Sequence, residues 1–369
     1  MTDPSALPAA TADRFLAYTA DQDLRTTVVA TQSATASGMV ICSDSPVKSI
    51  RLAKSLGYGQ PLIADVGAWR RQNATPGSPT LLEAPDSLLQ ISVDDWADEL
   101  LTAGASAVLT PSKFIRAGDW DSLHAVLRAA DRADLDRVLT LIATDAAMLD
   151  PPCLTTFMRT LNTTRSLAFI FADKSHPLGR RGRAAGLRNL VAAFPGCALL
   201  ATEPIVATDA YAHGAGCAAI GITGGLRRPR RPGDNGGSNA KDFLPGLFLR
   251  EMWEHRSPSV YADWFANSPP PTCDDCGGRA IHRFYNNEND RLAVLRHNVH
   301  AWLGLYDELG PRSLTGRWAW SSDEWATALA AHVSLRPAHG TVEADPVLRQ
   351  LVELDDPQGR RTTPQGVLR

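Results

Sequence analysis

SLAFIFADKSHPLGRRGRAAGLRNLVAAFPGCALLAT, residues 166–202, carries the pattern on which the fold depends. Two short apolar runs, SLAFIFA (166–172) and CALLAT (197–202), flank RAAGLRNLVAAF (183–194), whose apolar residues recur at helical spacing. The runs are nearly continuous in apolar character rather than alternating, as expected of strands buried on both faces. A strand, a helix and a second buried strand in that order make a parallel pair joined by a crossover.

The same unit recurs outward in both directions. Further apolar runs are GMVICS (38–43), QPLIAD (60–65), SAVLTP (106–111), RVLTLIA (137–143) and CAAIGIT (217–223). Between them lie SPVKSIRLAKSLG, SVDDWADELLTAG, DSLHAVLRAADR and PPCLTTFMRTLN. The first has a Ser cap followed by Pro in its first turn, and the second has acids in its first turn and a terminal Gly. Seven strands are clear. The eighth is expected either at TTVVAT (26–31) or in irregular chain after residue 230. Seven or eight such units favour closure, so the predicted fold is α/β, a TIM-like (β/α)8 barrel with a C-terminal zinc-binding subdomain. The expected division is an N-terminal extension (1–37), the barrel (38–250), the zinc-binding subdomain (251–310), and a helical extension with a tail (311–369).

Composition supports a large core. Of 369 residues, 44% are hydrophobic and 21% charged, which argues against global disorder. Thirty-seven basic against 40 acidic side chains give a net charge of −3, so the whole chain has no pull toward nucleic acid, although a local basic patch would. No apolar run is long enough to span a bilayer, and the N-terminus lacks the basic-then-apolar pattern of a signal peptide. A soluble protein of the reducing cytoplasm is expected. Four cysteines (Cys42, Cys153, Cys197, Cys217) stand singly in apolar surroundings and read as buried thiols.

Cys273 and Cys276 form a CxxC, and in a reducing compartment that spacing suggests a metal before a disulfide. Gly277 and Gly278 let the chain turn behind the two thiolates. His297 lies on the periodic helix DRLAVLRHNVHAWLGLYDEL (290–309), and His300 is three residues further on the same face. Thiolates with imidazole suit tetrahedral Zn2+. Cys273, Cys276, His297 and His300 are the candidate ligands; for the fourth position His282, Asp275 and water stand beside His300. LPGLFLREMWEH (244–255) is expected to be helical.

The segments PTCDDC (271–276) and RHN (296–298) resemble the zinc-binding segment of the tRNA-guanine transglycosylases, the queuine and archaeosine tRNA-ribosyltransferase superfamily. That family carries a C-x-C-x2-C knuckle and a later His-Asn, inserted near the end of a TIM barrel. Cys273, Cys276, His297 and Asn298 match; Pro271 takes the place of the first cysteine. PLIADVGAW (61–69) resembles the family's D-S-G-G-F-Q strand end, with Asp65, Gly67 and Trp69 in corresponding places. The resemblance implies base recognition and chemistry at Asp65, a metal brace and exchange of a nucleobase in tRNA or DNA. This chain departs from the family in three places. The third strand ends Thr110-Pro111-Ser112 without the guanine-reading Asp. The Gly-Gly-Leu-Ala-Val-Gly loop has no counterpart. No acid occupies GITGGLRRPRR, where the nucleophilic Asp belongs.

Barrel chemistry belongs at the carboxyl ends of the strands. There the sequence places Asp44, Asp65, Lys113, Asp145, Asp173 and Glu203, with Asp209 and His213 soon after. Asp44 and Asp145 read as helix caps. Asp65, Asp173, Glu203 and Asp209 are the candidate catalytic carboxylates. Thr223, Gly224 and Gly225, with Arg227 and Arg228, are the candidate phosphate or nucleic-acid contacts, and Arg180, Arg181, Arg183, Arg230 and Arg231 would extend a basic rim. The leading expectation is a transglycosylase-like enzyme, formally a pentosyltransferase, acting on or binding a base in tRNA or DNA. The rivals are an inactive barrel that binds nucleic acid or a partner, a homodimer being one form, and a barrel enzyme on a small phosphorylated substrate.

Overall fold

Every apolar run named above forms a strand, and the strands close on themselves. The computed structural model describes residues 7–32, 37–83, 91–234, 244–273 and 276–358. Its core is a closed barrel of eight parallel strands: β1 (Arg14–Ala20), β2 (Met39–Cys42), β3 (Leu62–Asp65), β4 (Ala107–Leu109), β5 (Val138–Asp145), β6 (Leu167–Ala172), β7 (Ala198–Thr202) and β8 (Cys217–Gly221). Closure is by β1, which pairs with β2 (Ala17 opposite Met39) and with β8 (Phe15 opposite Ala218). The strands from β2 to β8 are buried throughout, which is why they read as unbroken apolar runs.

The eighth strand corrects one expectation. It is Arg14–Ala20, inside the stretch set apart as an N-terminal extension, while TTVVAT belongs to helix α1 (Leu24–Thr31). Its β-branched residues favour a strand by propensity. Burial of Leu24, Thr27, Val28 and Thr31 nonetheless follows helical spacing, with Val29 54% exposed. Thr27 and Thr31 each donate their hydroxyl to the carbonyl four residues back (2.9 and 2.8 Å), so threonine is accommodated within the turn.

Helices α2 (Pro46–Ser55), α3 (Val93–Thr102), α4 (Trp120–Ala130), α5 (Pro151–Thr160), α6 (Arg183–Ala193) and α7 (Pro204–Ala212) follow their strands around the barrel. After β8 comes only one turn, α8 (Gly224–Arg227), which lies so close to the strand that a Cβ on Gly221 would stand 2.2 Å from the Leu226 carbonyl carbon. The outer ring is completed by α10 (Glu288–Leu309), which packs against α1, α7 and β1. The CxxC segment is thus inserted between the last barrel strand and the helix that closes the ring.

The insert corrects a second expectation. LPGLFLREMWEH is a hairpin, β9 (Leu247–Leu249) antiparallel to β10 (Glu254–Arg256), rather than a helix. It turns through Trp253, which has positive φ (52°), and Phe248 packs edge-on to Trp253. Helix α9 (Pro258–Trp264) and a small hairpin, β11 (Thr272–Cys273) and β12 (Arg279–Ala280), follow. Beyond α10, helix α11 (Leu314–Ser334) packs on α7, and α12 (Pro346–Asp355) packs on α6, α7 and α11. No helix among the described residues is long and apolar enough to cross a membrane.

Candidate functional site

Two groups of side chains gather outside the ordinary core. The first is the CxxC with its distant histidine. The β11–β12 hairpin turns through Gly277 and Gly278, both with positive φ (68° and 75°), and the Gly278 amide donates to the Cys273 carbonyl at 2.9 Å. This knuckle faces α10, where His297 is buried. The sulfurs of Cys273 and Cys276 and a ring nitrogen of His297 all lie within 4.8 Å of one another.

The His297 ring is held from behind. Its Nε2 is 2.8 Å from the Phe248 carbonyl, which only an N–H satisfies, leaving the Nδ1 lone pair toward Cys276 Sγ at 3.4 Å. The neighbouring Asn298 is fully buried and fastens the same strand. It accepts from the Phe248 amide (2.7 Å) and donates to the Gly246 carbonyl (2.8 Å). A tetrahedral zinc with Zn–S near ~2.3 Å and Zn–N near ~2.0 Å separates sulfur from nitrogen by ~3.5 Å. The observed spacing, the soft donors and the fixed tautomer all fit such an ion, as does the backbone carbonyl supporting the imidazole.

His300 is not in this group. The i,i+3 spacing alone would allow it, but its ring nitrogens do not join the cluster of Cys273, Cys276 and His297. It lines instead a cavity of about 440 Å³ that also borders Cys276, His297 and Val29 of α1. His282 is likewise outside the group. Asp275 lies outside the described residues.

The candidate carboxylates are dispersed, and each has taken different partners. Asp65 ends β3 with 1% exposure, and Tyr18 Oη and Trp69 Nε1 (3.1 Å) donate to one of its oxygens. The Gly67 amide donates to the other at 2.7 Å. Gly67 has φ 63°, and a Cβ there would come within 2.8 Å of Cys42 Sγ, so the turn requires glycine. Burial pushes the Asp65 carboxyl up against the pull of these donors. Asp65 is a sealed hub inside the barrel.

Asp173, after β6, is bound by Arg183 and by Arg231 (2.7 Å); burial opposes its ionisation, yet the arginines and the Lys174 amide hold its pKa low. Arg231 also reaches Asp145 at 2.7 Å. Asp209 lies within α7, beyond the strand end. It holds Arg188 of α6 through both oxygens, and Arg188 in turn holds Asp355 of α12 at 2.7 Å. That arrangement is a clamp between three helices on the outside of the barrel.

Glu203, just after β7, belongs to the second group. His176 Nε2 lies 2.9 Å from one Glu203 oxygen and 3.4 Å from Asp345, and Arg228 contacts both carboxylates at 2.8 and 3.1 Å. These nearest contacts are ionic rather than aligned hydrogen bonds for His176, whose ring nitrogens have no well-directed partner. Burial alone would lower the His176 pKa; Asp345 and Glu203 override it and raise it to about 9. Burial would raise Asp345, but His176 and Arg228 bring it down to about 2. Glu203 is likewise held below the usual carboxylate range, chiefly by His176 against burial. Beside this group lies a cavity of about 180 Å³ bordered by Glu203, Arg227, Arg228, Glu254, His255 and Arg256.

The Thr223–Gly225 turn contributes less than its sequence suggests. It opens a four-residue helix with no side-chain cap; Gly224 borders the cavity and Gly225 does not. Arg228 is committed to Glu203 and Asp345, whereas Arg227 turns inward. Arg180, Arg181 and Arg183 are likewise engaged, with Asp150, Glu353 and the Asp150–Asp173 pair respectively.

Sequence reasoning did not assign Asp345, Glu254 or His255 to a site. Asp345-Pro346 carries a helix-start signal, and Asp345 does cap α12. Its second role depends on where α12 docks, which no local pattern encodes. Tyr18 went unassigned because its strand did. No protein-family model matches the chain, and no curated protein matches it.

Proposed function

We propose that this chain is a divergent relative of the tRNA-guanine transglycosylases that recognises a nucleobase of tRNA or DNA at the strand ends, with zinc bound by Cys273, Cys276 and His297. The observation that carries this reading is the convergence of those three donors in an insert between β8 and the ring-closing helix, with the His-Asn pair pinning Gly246–Phe248. The zinc braces the insert against α10 and supplies no step of the chemistry.

Base exchange requires a carboxylate beside the anomeric carbon. Glu203 is the candidate best placed for that work. It is ionised, lies at a strand end and borders a cavity, whereas Asp65 is sealed, Asp173 is held between two arginines and Asp209 is on an outer helix. Asp65 then acts as a positioning residue through Tyr18 and Trp69. The test is incorporation of radiolabelled guanine or a 7-deazaguanine into bulk tRNA and bulk DNA by folded, zinc-loaded protein. Incorporation abolished by Glu203→Gln is the expected result. No incorporation into either polymer removes the enzymatic reading.

A second reading, a barrel that binds nucleic acid without turnover, is favoured by one observation: each of the four candidate carboxylates already has protein partners. Salt-dependent binding to tRNA or DNA without exchange identifies it.

A further inference from the structure

Three carboxylates and three arginines border the cavity beside Glu203, and they are not paired one to one. Among its carboxylates, Glu203 and Asp345 are matched by Arg228 and His176. Glu254 is matched by Arg256 at 2.6 Å and contacts His332 at 3.1 Å. Arg227 is left over. It is 6% exposed, and one guanidinium nitrogen donates to the Gly221 and Ile222 carbonyls at 3.3 and 3.1 Å. Its charge lies 5.9 Å from the Trp302 ring centre. Among the described residues no carboxylate forms an ion pair with it within 4 Å, and Glu203 acts on its charge only from further away. Burial lowers its pKa to about 10, so it remains a cation at neutral pH.

A buried cation without a direct ion pair is costly, and proteins pair such groups or give them a ligand. A second orphan borders the same space: His255 Nε2 is buried with no partner. The His255 ring is packed between Phe248 (5.0 Å between centres) and Trp302 (5.7 Å), so it cannot swing out to find one. Burial keeps that imidazole neutral, with one N–H to give.

We propose that this cavity is a small-anion site, in which Arg227 and His255 Nε2 receive one oxyanion group, the phosphate of a monoester or a terminal carboxylate. The volume of about 180 Å³ exceeds the ~30 Å³ share of a single water and falls short of the ~300 Å³ at which pockets hold a whole drug-sized ligand. It suits the charged end of a ligand whose remainder extends outward. The inference goes beyond the nucleobase reading and does not depend on the metal or on turnover.

The test is thermal unfolding of the full chain in inorganic phosphate or acetate, with chloride added to keep ionic strength constant. A saturable rise of several degrees in Tm is expected with at least one of the two anions. A larger rise with phosphate assigns a tetrahedral group, and a larger rise with acetate a carboxylate. Arg227→Met should abolish the rise, His255→Phe should raise the half-saturating concentration about tenfold, and Arg116→Gln, exposed after β4, should leave it unchanged. Should Arg227→Met fail to fold, Arg227→Lys and equilibrium dialysis of labelled phosphate and acetate against wild type replace it. No rise and no bound anion, or a rise that survives loss of the Arg227 charge, overturns the site.

Discussion

Asp65 at the end of β3 and Glu203 at the end of β7 are the same kind of group in equivalent places, yet one is sealed and the other borders a cavity. The difference lies in what each is given by distant chain. Asp65 receives neutral donors, a phenol, an indole and an amide, which fill its oxygens and exclude water. Glu203 receives charges, His176 and Arg228, and shares them with Asp345. Neutral donors fix a carboxylate as part of the core; shared charges leave a polar, ionised group beside open space. Position at a strand end therefore nominates a residue, and its partners decide whether it is available for chemistry.

The largest effect is expected on the sealed side. Asp65→Ala leaves the Tyr18 hydroxyl, the Trp69 N–H and the Gly67 amide without an acceptor in the barrel interior. Urea unfolding should give a loss of ~3–5 kcal/mol; a loss below ~1 kcal/mol would mean the seal is not structural. On the open side, Glu203→Gln keeps shape and removes charge from a buried group that borders a cavity. A loss of ~1–3 kcal/mol is expected there, together with a drop in the His176 pKa that NMR titration reads directly.

The charged side should also respond to pH. The folded pKa of His176, about 9, lies above its unfolded value of ~6.5, so its contribution is complete below ~6.5 and is lost as pH rises through about 9. Stability should fall by ~1–3 kcal/mol across that window, and His176→Gln should flatten the curve. Asp345 works in the opposite sense: its folded value of about 2 is below normal, so its contribution is present above ~3.9 and is lost as pH falls toward 2. The smallest effect belongs to Asp44, whose pair with Arg71 is exposed on both sides. Asp44→Ala should cost no more than ~0.5 kcal/mol, and a larger cost would show that rim charges carry more of the fold than burial suggests.

Seven strands of the barrel were legible because strands buried on both faces must be apolar throughout. β1 was not, since Arg14, Tyr18 and Thr19 interrupt that character; Tyr18 is polar because it serves Asp65. TTVVAT stands as one of two candidates for the eighth strand because threonines that back-bond within a helix look like strand residues in sequence. The CxxC and His297 were legible from donor chemistry and spacing, whereas His300, on the same helix face, is set apart from them only by where its side chain lies in the fold. The Glu203 group joins residues from the loops after β6 and β8 and from the cap of α12. Its assembly depends on the docking of the C-terminal helices, so none of its local sequences announces it.

The reading rests most on the three converging donors, and metal content tests them most directly. Purified wild-type protein should carry one zinc per chain by mass spectrometry. Cys276→Ser should lose the metal and unfold at lower denaturant concentration, with the fall matched by chelation of the wild type. Wild-type protein that holds no zinc after purification and refolding in its presence, with stability indifferent to chelator and to Cys276→Ser, would contradict it.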